Sequence, residues 1–162
     1  MERISKENYY LDIAQTVAER STCLRKKYGA IIVKNDSIVS TGYNGAPRGR
    51  KNCSDIGRCI RDELNIPRGE RYELCRSLHA EMNAIISASR EEMLGSDLFM
   101  ACVDGKTGDL VSGTCSCMMC KRAVINAGIK RVIVRENESE YSIYETDEWI
   151  ENDDSLSGKF GY

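Results

Sequence analysis

Hydrophobic and polar positions along the first third of the chain follow two different periods. Within KENYYLDIAQTVAERS, apolar residues recur every three or four positions, which is the period of an amphipathic helix. The residues of this apolar stripe are Tyr10, Ile13, Ala14, Val17 and Ala18. Two short apolar runs follow, GAIIVK and SIVSTGY, and the residues between them, Asn35 and Asp36, are typical of a tight turn. The pattern predicts an N-terminal helix followed by a β-hairpin.

The second half of the chain alternates helical segments with apolar runs of strand length. HAEMNAIISASRE has a helical period, and the side chains expected along one side of it are Met82, Ile85, Ile86 and Ser89. DLFMACV and IKRVIVRE are predicted strands, and CMMCKRAVINAG between them is a predicted helix that Gly128 ends. Strands that alternate with helices indicate an α/β fold in which helices cover a sheet.

Two segments depart from this regular pattern. Residues 53–75 form a polar insertion with three cysteines, and residues from about 136 to 162 form an acidic C-terminal extension in which Trp149 is the one bulky anchor. The final SGKFGY is expected to be a loose tail. No internal repeat is visible, so we expect residues 1–162 to form a single domain.

Composition and charge narrow the class of protein. A net charge of −2 and a pI near 5.6 give no basic excess, so nucleic acid is not the expected partner. The first ten residues lack the apolar core of a signal peptide, and no apolar run is long enough to cross a membrane. We therefore expect a cytoplasmic protein, in which eight cysteines favour metal binding or catalysis over disulfides. Cys102, inside an apolar run, is expected to be a core residue.

One histidine, one glutamate and two cysteines form the clearest chemical pattern. His79 and Glu81 stand at the start of one predicted helix, and Cys117 and Cys120 stand on the first turn of another. Side chains three apart on a helix lie on the same face, and helix N-termini favour the thiolate form of cysteine. A catalytic zinc ion takes three protein ligands and keeps one position for water. His79, Cys117 and Cys120 are therefore the predicted zinc ligands, and Glu81 is the predicted general acid–base.

The same residues, with several longer segments, resemble the bacterial and viral deoxycytidylate (dCMP) deaminases of the zinc-dependent cytidine and deoxycytidylate deaminase family. The resemblance rests on HAE and SCMMC, and on STCLRKKYGAIIV, STGYNGAPRG, CRSLHAEMNAI and NAGIKRVIV, from about residue 21 to 134. It implies a three-layer α/β/α fold with a central mixed sheet of five strands. Where the family usually has proline before the first cysteine, this chain has Ser116, which we expect to cap the helix instead.

The resemblance also implies a reaction, the hydrolysis of dCMP to dUMP and ammonia, which would supply dUMP for thymidylate synthesis. In that reaction Glu81 takes a proton from the attacking water and returns protons to the base. Asn44, in the GYNG motif, would hold the nucleotide sugar, and Ala80 would lie against the substrate. The resemblance further implies a homo-oligomer, commonly a hexamer, that dCTP activates and dTTP inhibits.

Two basic clusters flank the GYNG motif and predict recognition of a 5′-phosphate. They are Arg25-Lys26-Lys27 and the group Arg48, Arg50 and Lys51. Arg25 and Lys26 are the predicted substrate-binding residues, although a solvated basic patch is the alternative for this cluster. The preference for deoxyribose over ribose rests on the resemblance alone.

Three other functions fit part of this pattern. A tRNA adenosine deaminase has the same zinc site but needs a basic surface for RNA phosphates, and this chain is mildly acidic. A deaminase of free cytidine or a riboflavin-pathway deaminase is the second alternative, and the GYNGAP loop with its basic neighbours favours a nucleotide substrate over these. A non-catalytic zinc module ordinarily has four protein ligands and would leave Glu81 unexplained.

Four further cysteines raise the possibility of a second, structural zinc ion. Cys53, Cys59 and Cys75 lie in or at the end of the insertion, and Cys23 lies upstream. Thiols in a reducing compartment, around a segment with little apolar content, are typical of a structural zinc site. The alternative is that they are separate buried thiols, because the spacings are wider than those of ordinary zinc motifs.

Overall fold

The computed structural model describes residues 1–153 and 156–157. Most of the predicted tail SGKFGY lies outside the described residues. None of the helices in the described part of the chain has the length and apolarity that a membrane crossing requires. The elements in chain order are α1 (Lys6–Ala18), β1 (Lys26–Lys34), β2 (Ser37–Tyr43), α2 (Cys53–Ile56), α3 (Ile60–Glu63), a 3-10 turn (Tyr72–Leu74), α4 (Ala80–Ile86), α5 (Arg90–Met93), β3 (Asp97–Asp104), α6 (Met118–Ala127), β4 (Arg131–Arg135), β5 (Tyr141–Glu145) and α7 (Thr146–Glu151).

The five strands form a mixed sheet in the order β2-β1-β3-β4-β5. β3 and β4 are parallel, and all other neighbours in this sheet are antiparallel. The connections explain these directions. Asn35 and Asp36 both adopt positive φ angles, of 50° and 59°, which suit a two-residue hairpin between β1 and β2. Parallel strands need a crossover connection, which contains α6 here.

Alternate residues of the central strands supply two separate cores. On β1, Ala30 and Ile32 face one side of the sheet, whereas Ile31 and Val33 face the other. Helices α4, α5 and α6 cover the first side, and α1 covers the second. The predicted three-layer α/β/α fold with a five-stranded mixed sheet is therefore confirmed.

Two glycines allow helices to lie directly on the sheet. A Cβ atom at Gly29 would stand 2.0 Å from the carbonyl oxygen of Ala14, in α1. A Cβ atom at Gly42, in β2, would stand 2.4 Å from the carbonyl oxygen of Ala80, in α4. Neither separation is possible between real atoms, so both positions require glycine. The N-terminus of α4, which begins after His79, is thereby held against the edge strand β2.

The buried side of α4 consists mainly of small residues. The buried residues of this helix are the small Ala80 and Ala84 together with Glu81, and Ile86 of the predicted stripe is 69% exposed. The contact with Gly42 explains the difference, because a helix lying so close to a strand can place only small side chains between them.

The insertion packs against the segment that precedes β1. Its elements are α2, α3 and the 3-10 turn. The backbone N–H of Ser54 donates to the carbonyl of Thr22 at 3.1 Å, and Arg25 forms an ion pair with Asp62 at 3.3 Å. The charged insertion is thus attached to the segment that leads from α1 into the sheet.

Part of the predicted acidic extension belongs to the folded core. It contributes β5, which completes the sheet, and α7. Trp149, the predicted anchor, packs against the core on the α4–α6 side, and the ammonium of Lys121 lies 5.3 Å from its ring centroid. The acidic residues between β4 and β5 form the turn that joins them.

Candidate metal and active site

Two helix N-termini bring one imidazole and two thiols together. His79 is the N-cap of α4, Cys117 is the N-cap of α6, and Cys120 lies on the first turn of α6. Nδ1 of His79 is 3.4 Å from the sulfur of Cys117 and 3.4 Å from that of Cys120. The three potential ligand atoms all lie within 4.8 Å of one another, which no other group of three such residues achieves among those described.

The donor set and its spacing fit a zinc ion. Tetrahedral coordination at ordinary bond lengths separates nitrogen and sulfur ligands by about 3.6 Å. The observed separations of 3.4 Å are close to that value. One imidazole and two thiolates also leave the fourth position that a catalytic site needs. The predicted ligands therefore lie together in a geometry that suits the predicted ion.

Hydrogen bonds among His79, Cys117 and Cys120 shift the pKa values of all three side chains. The hydrogen bond from Cys120 lowers the pKa of Cys117 to about 4, and the His79 imidazole adds to this shift against the effect of burial. The pKa of Cys120 is raised, first by that same hydrogen bond and then by burial. Burial acts to lower the pKa of His79, but hydrogen bonds with Cys117 and Cys75 raise it to about 10. A metal ion would displace the protons that these groups share.

Glu81 lies beside the cluster, on the first turn of α4, and is 4% exposed. Burial raises the pKa of its carboxyl group, because a desolvated carboxylate is disfavoured, and the positive charge of His79 opposes the shift. A buried carboxylate with a raised pKa takes up a proton more readily than one in water. This is the property that a general base near a water-activating ion requires.

The predicted capping role of Ser116 is wrong. Cys117 occupies the N-cap position of α6, so Ser116 stands one residue outside the helix. The Ser116 hydroxyl is buried and close enough to lower the pKa of Glu81, but it is not in hydrogen-bond geometry with any described residue. Helix α6 therefore begins normally without a proline at position 116, and Ser116 lies near the Glu81 carboxylate and does not cap the helix.

The cluster opens into a pocket that has several cations in its wall. His79, Glu81 and Cys117 line the pocket together with Asn44. The cationic residues of the wall are Arg25, Lys26, Arg61 and Arg68. The structure therefore brings the predicted Arg25 and Lys26 to the same cavity as the predicted metal and acid–base residues.

Asn44 holds three chain segments at the pocket wall. Its Oδ1 accepts hydrogen bonds from the Ser21 hydroxyl at 2.5 Å and from the Tyr28 backbone N–H at 2.8 Å. Its Nδ2 donates to the carbonyl of Lys26 at 2.9 Å. These contacts use both acceptor positions of the amide and one of its two N–H groups. The second N–H is left for a ligand. The three contacts also give Asn44 a structural role that the sequence did not indicate.

Two other predicted contributions lie elsewhere. The side chain of Ala80 is fully buried in the core between α4 and the sheet rather than in the pocket wall. Arg48, Arg50 and Lys51 are not part of the pocket wall as the described residues form it. Of the two predicted basic clusters, only the first therefore contributes to the described pocket wall, through Arg25 and Lys26.

Sequence reasoning missed the contribution of the insertion. Arg61, Arg68 and Tyr72 all line the pocket, and Arg61 is only 4% exposed. The available signal was the group of arginines near an aromatic residue in RDELNIPRGERYEL.

The four cysteines proposed for a second zinc ion are neighbours without forming a ligand cluster. Cys23, Cys59 and Cys75 line the pocket, and Cys53 is buried. Burial raises the pKa of the Cys53 thiol, and the other three cysteines add to this shift, so they are close enough to interact electrostatically. In the described part of the chain, however, no three of them come within ligand distance of one another.

Comparisons with known proteins point to one family. A family model described as the cytidine and deoxycytidylate deaminase zinc-binding region matches residues 4–136. The deoxycytidylate deaminase of Schizosaccharomyces pombe is 34% identical over 131 residues, which are 81% of this chain and 37% of that protein. That of Mycobacterium phage D29 is 33% identical over 137 residues, which are 82% of this chain and 96% of that protein. The chain thus spans less than two fifths of the yeast relative but nearly all of the phage one.

Crystal structures of the dCMP deaminase from the cyanophage S-TIM5 have the same fold. The apo form has a TM-score of 0.56 and 29% identity, covering 83% of this chain and 85% of that one. The complex with dCMP and dUMP has a TM-score of 0.53 and 27% identity, covering 83% and 84%. The resemblance seen in the sequence is confirmed: the chain belongs to the zinc-binding family of cytidine and deoxycytidylate deaminases.

Proposed function

We propose that the protein catalyses the hydrolytic deamination of dCMP to dUMP and ammonia. The observation that carries this proposal is the buried Glu81 carboxylate beside the His79–Cys117–Cys120 cluster, in a pocket with a cationic wall. The relatives named deoxycytidylate deaminase support the choice of substrate. The dUMP formed would serve thymidylate synthesis.

The chain's own residues divide the chemistry among them. His79, Cys117 and Cys120 would hold one zinc ion, and such an ion supplies the Lewis acidity that lowers the pKa of a water molecule near C4 of cytosine. Glu81 accepts a proton from the attacking water and passes it to N3 of the base. It then accepts the second proton, from the hydroxyl group now on C4, and delivers it to the departing amine. One water is consumed and one ammonia is released, so the carboxylate ends in the state in which it began.

The walls of the pocket would select a nucleotide. The remaining amide N–H of Asn44 is available to the sugar, and Arg25 and Lys26 place positive charge where a phosphate would enter. Because Arg25 is already paired with the exposed Asp62, its contribution is modest. We propose a preference for the 5′-monophosphate. Because the relatives are named for deoxycytidylate, we also propose that this protein prefers deoxyribose over ribose.

Assembly and regulation extend the proposal. We propose a cytoplasmic, single-domain enzyme that forms a homo-oligomer, a hexamer by resemblance, with dCTP as activator and dTTP as inhibitor. We propose one zinc ion per chain, because the four remaining cysteines around the insertion lack ligand spacing among the described residues.

One substrate panel tests the proposed function. Ammonia release is measured for dCMP, CMP, deoxycytidine and dCTP, and the dCMP series is repeated with dCTP and with dTTP. We expect the highest kcat/KM for dCMP. Equal or faster turnover of deoxycytidine would refute the preference for a monophosphate, and hyperbolic kinetics indifferent to both triphosphates would refute the regulation.

A further inference from the structure

Arg61 is a buried cation to which the chemistry described so far gives no task. It lies on α3, in the insertion, and lines the pocket although it is only 4% exposed. Its Nη2 donates to two backbone carbonyls, that of Pro67 at 2.9 Å and that of Glu70 at 2.6 Å. Its Nε is buried and has no hydrogen-bond partner among the described residues.

The acids near Arg61 are engaged elsewhere. Asp62, the next residue, pairs with Arg25. Glu73 has an exposed side chain and pairs with Arg71. Over residues 1–153 and 156–157, Arg61 forms no ion pair with a carboxylate. A guanidinium removed from water is ordinarily compensated by an anion, so a buried one that faces a cavity implies that the anion comes from a ligand.

Aromatic packing fixes the orientation of the Arg61 guanidinium relative to the metal site. Its Cζ lies 4.2 Å from the ring centroid of Tyr72, a cation–π contact. The same ring meets the imidazole of His79 edge to face, with centroids 4.9 Å apart. A single aromatic ring therefore separates the buried cation from the predicted zinc ligand. The two carbonyl contacts of Nη2 prevent the guanidinium from rotating on that ring.

We propose that Arg61 is the phosphate-recognition residue of this site, assisted by Arg68, and that the insertion thereby makes the enzyme selective for a nucleoside monophosphate. The inference rests on the proposed deaminase function and assigns its phosphate preference to one residue. A planar guanidinium with unused N–H donors matches the oxygen atoms of a phosphate better than the flexible ammonium of Lys26 does. Arg61, Tyr72 and His79 all line the same pocket, so phosphate and base would bind in one cavity.

The test compares two substrates that differ only in the phosphate. Arg61→Gln removes the charge and keeps a polar side chain, but its amide ends two bonds short of Nη2 and so loses the two carbonyl contacts. We expect kcat/KM for dCMP to fall at least about tenfold, because a charge-assisted hydrogen bond to the substrate is lost. We expect kcat/KM for deoxycytidine to change less than about twofold, since that substrate has no phosphate to recognise.

Two further variants serve as controls. Arg58→Gln removes another arginine of the insertion, whose side chain is 70% exposed and pairs with Glu63, and it should leave both substrates unchanged. Arg61→Lys keeps the charge but loses the fork of donors, so it should lower kcat/KM for dCMP by a smaller factor and spare deoxycytidine. This variant also carries the test if Arg61→Gln does not fold.

The outcomes separate this inference from the proposed function. An equal loss for both substrates in the folded Arg61 variants would show that Arg61 only supports the insertion, and unchanged kinetics with dCMP would show that it has no role. Either result overturns the inference while wild type still prefers dCMP. If wild type itself turns over deoxycytidine as well as dCMP, the proposed monophosphate preference fails first, whatever the variants do.

Discussion

At the scale of single residues, Glu81 shows how position determines what a side chain can do. A carboxylate on the first turn of an exposed helix would interact with the helix dipole and little else. Here the carboxylate is buried between α4 and the start of α6, next to the imidazole of His79 and the hydroxyl of Ser116. Desolvation raises its pKa, and the charge of His79 opposes that rise.

Replacing Glu81 with glutamine should separate proton transfer from metal binding. Glu81→Gln keeps the shape of the side chain and leaves the three predicted ligands in place. We expect zinc content equal to that of wild type and a fall in kcat for dCMP of at least about a hundredfold, the low end for lost acid–base catalysis. The exposed Glu91→Gln on α5 is the matched control and should keep full activity. Near-normal turnover by a zinc-loaded Glu81→Gln protein would disprove the assigned role.

Residue chemistry was predictable where it depends on local spacing. The separations of His79 from Glu81, and of Cys117 from Cys120, fall within one turn of a helix, so the sequence displays them directly. The burial of Arg61 was not visible, because it depends on how an irregular insertion folds onto the rest of the chain. The structural role of Asn44 was hidden for a related reason, since its partners lie 16 to 23 positions away.

At the scale of elements, the placement of the site depends on how closely α4 approaches β2. The helix lies on Gly42 with only Ala80 and Ala84 at the contact. Because His79 is the N-cap of this helix, a shift of α4 moves the imidazole relative to the two thiols on α6. Gly42, on the edge strand, therefore determines the position of the predicted ligand His79.

A methyl group at this contact should be costly. In Gly42→Ala the new Cβ would stand 2.4 Å from the Ala80 carbonyl oxygen, so helix and strand must separate. We expect the free energy of unfolding in urea to fall by about 1–3 kcal/mol, the usual cost of overpacking. Zinc affinity should fall with it. Thr41→Ser, at the exposed neighbouring position, is the control, and equal stability of the two variants would argue against the close approach.

Element prediction succeeded where burial follows one regular period. α1 is such a case, β3 was recognised as an unbroken apolar run, and the hairpin turn at Asn35 and Asp36 was correctly placed by its residue types. The apolar stripe on α4 does not mark its buried side, because close packing against the sheet selects the small Ala80 and Ala84. The residue pattern did not predict the strand at residues 141–145, because acidic residues precede it. Only the resemblance implied a fifth strand.

At the scale of the whole molecule, the candidate site is assembled at one end of two helices and closed by the insertion. α4 and α6 supply the metal donors from the same side of the sheet. The ends of β1 and β2 supply Lys26 and Asn44, and the insertion supplies Arg61. The layered architecture could be predicted from alternation of elements, but the position of the insertion over the pocket could not, because its charged sequence has no regular period.

Metal binding should stabilise the molecule as well as activate it. A ligand that binds only the folded chain adds about 2.7 kcal/mol at a free concentration a hundred times its Kd. We expect one zinc ion per chain, none in Cys117→Ser, and a lower Tm in both the chelated wild type and that variant. Cys59→Ser, which removes a thiol outside the ligand cluster, should still carry one ion. Two ions in wild type and one in Cys59→Ser would instead establish the second, structural site.

The separation of the ligands along the chain has a consequence for how the protein is made. His79 and Cys117 are 38 positions apart, and β3, the central strand of the sheet, lies between them. Closing so long a loop is entropically unfavourable unless the intervening strand is already paired. We therefore expect a nascent chain to acquire zinc only after β3 has inserted between β1 and β4. Metal acquisition would then mark the completion of folding, and chains arrested earlier would remain metal-free and inactive.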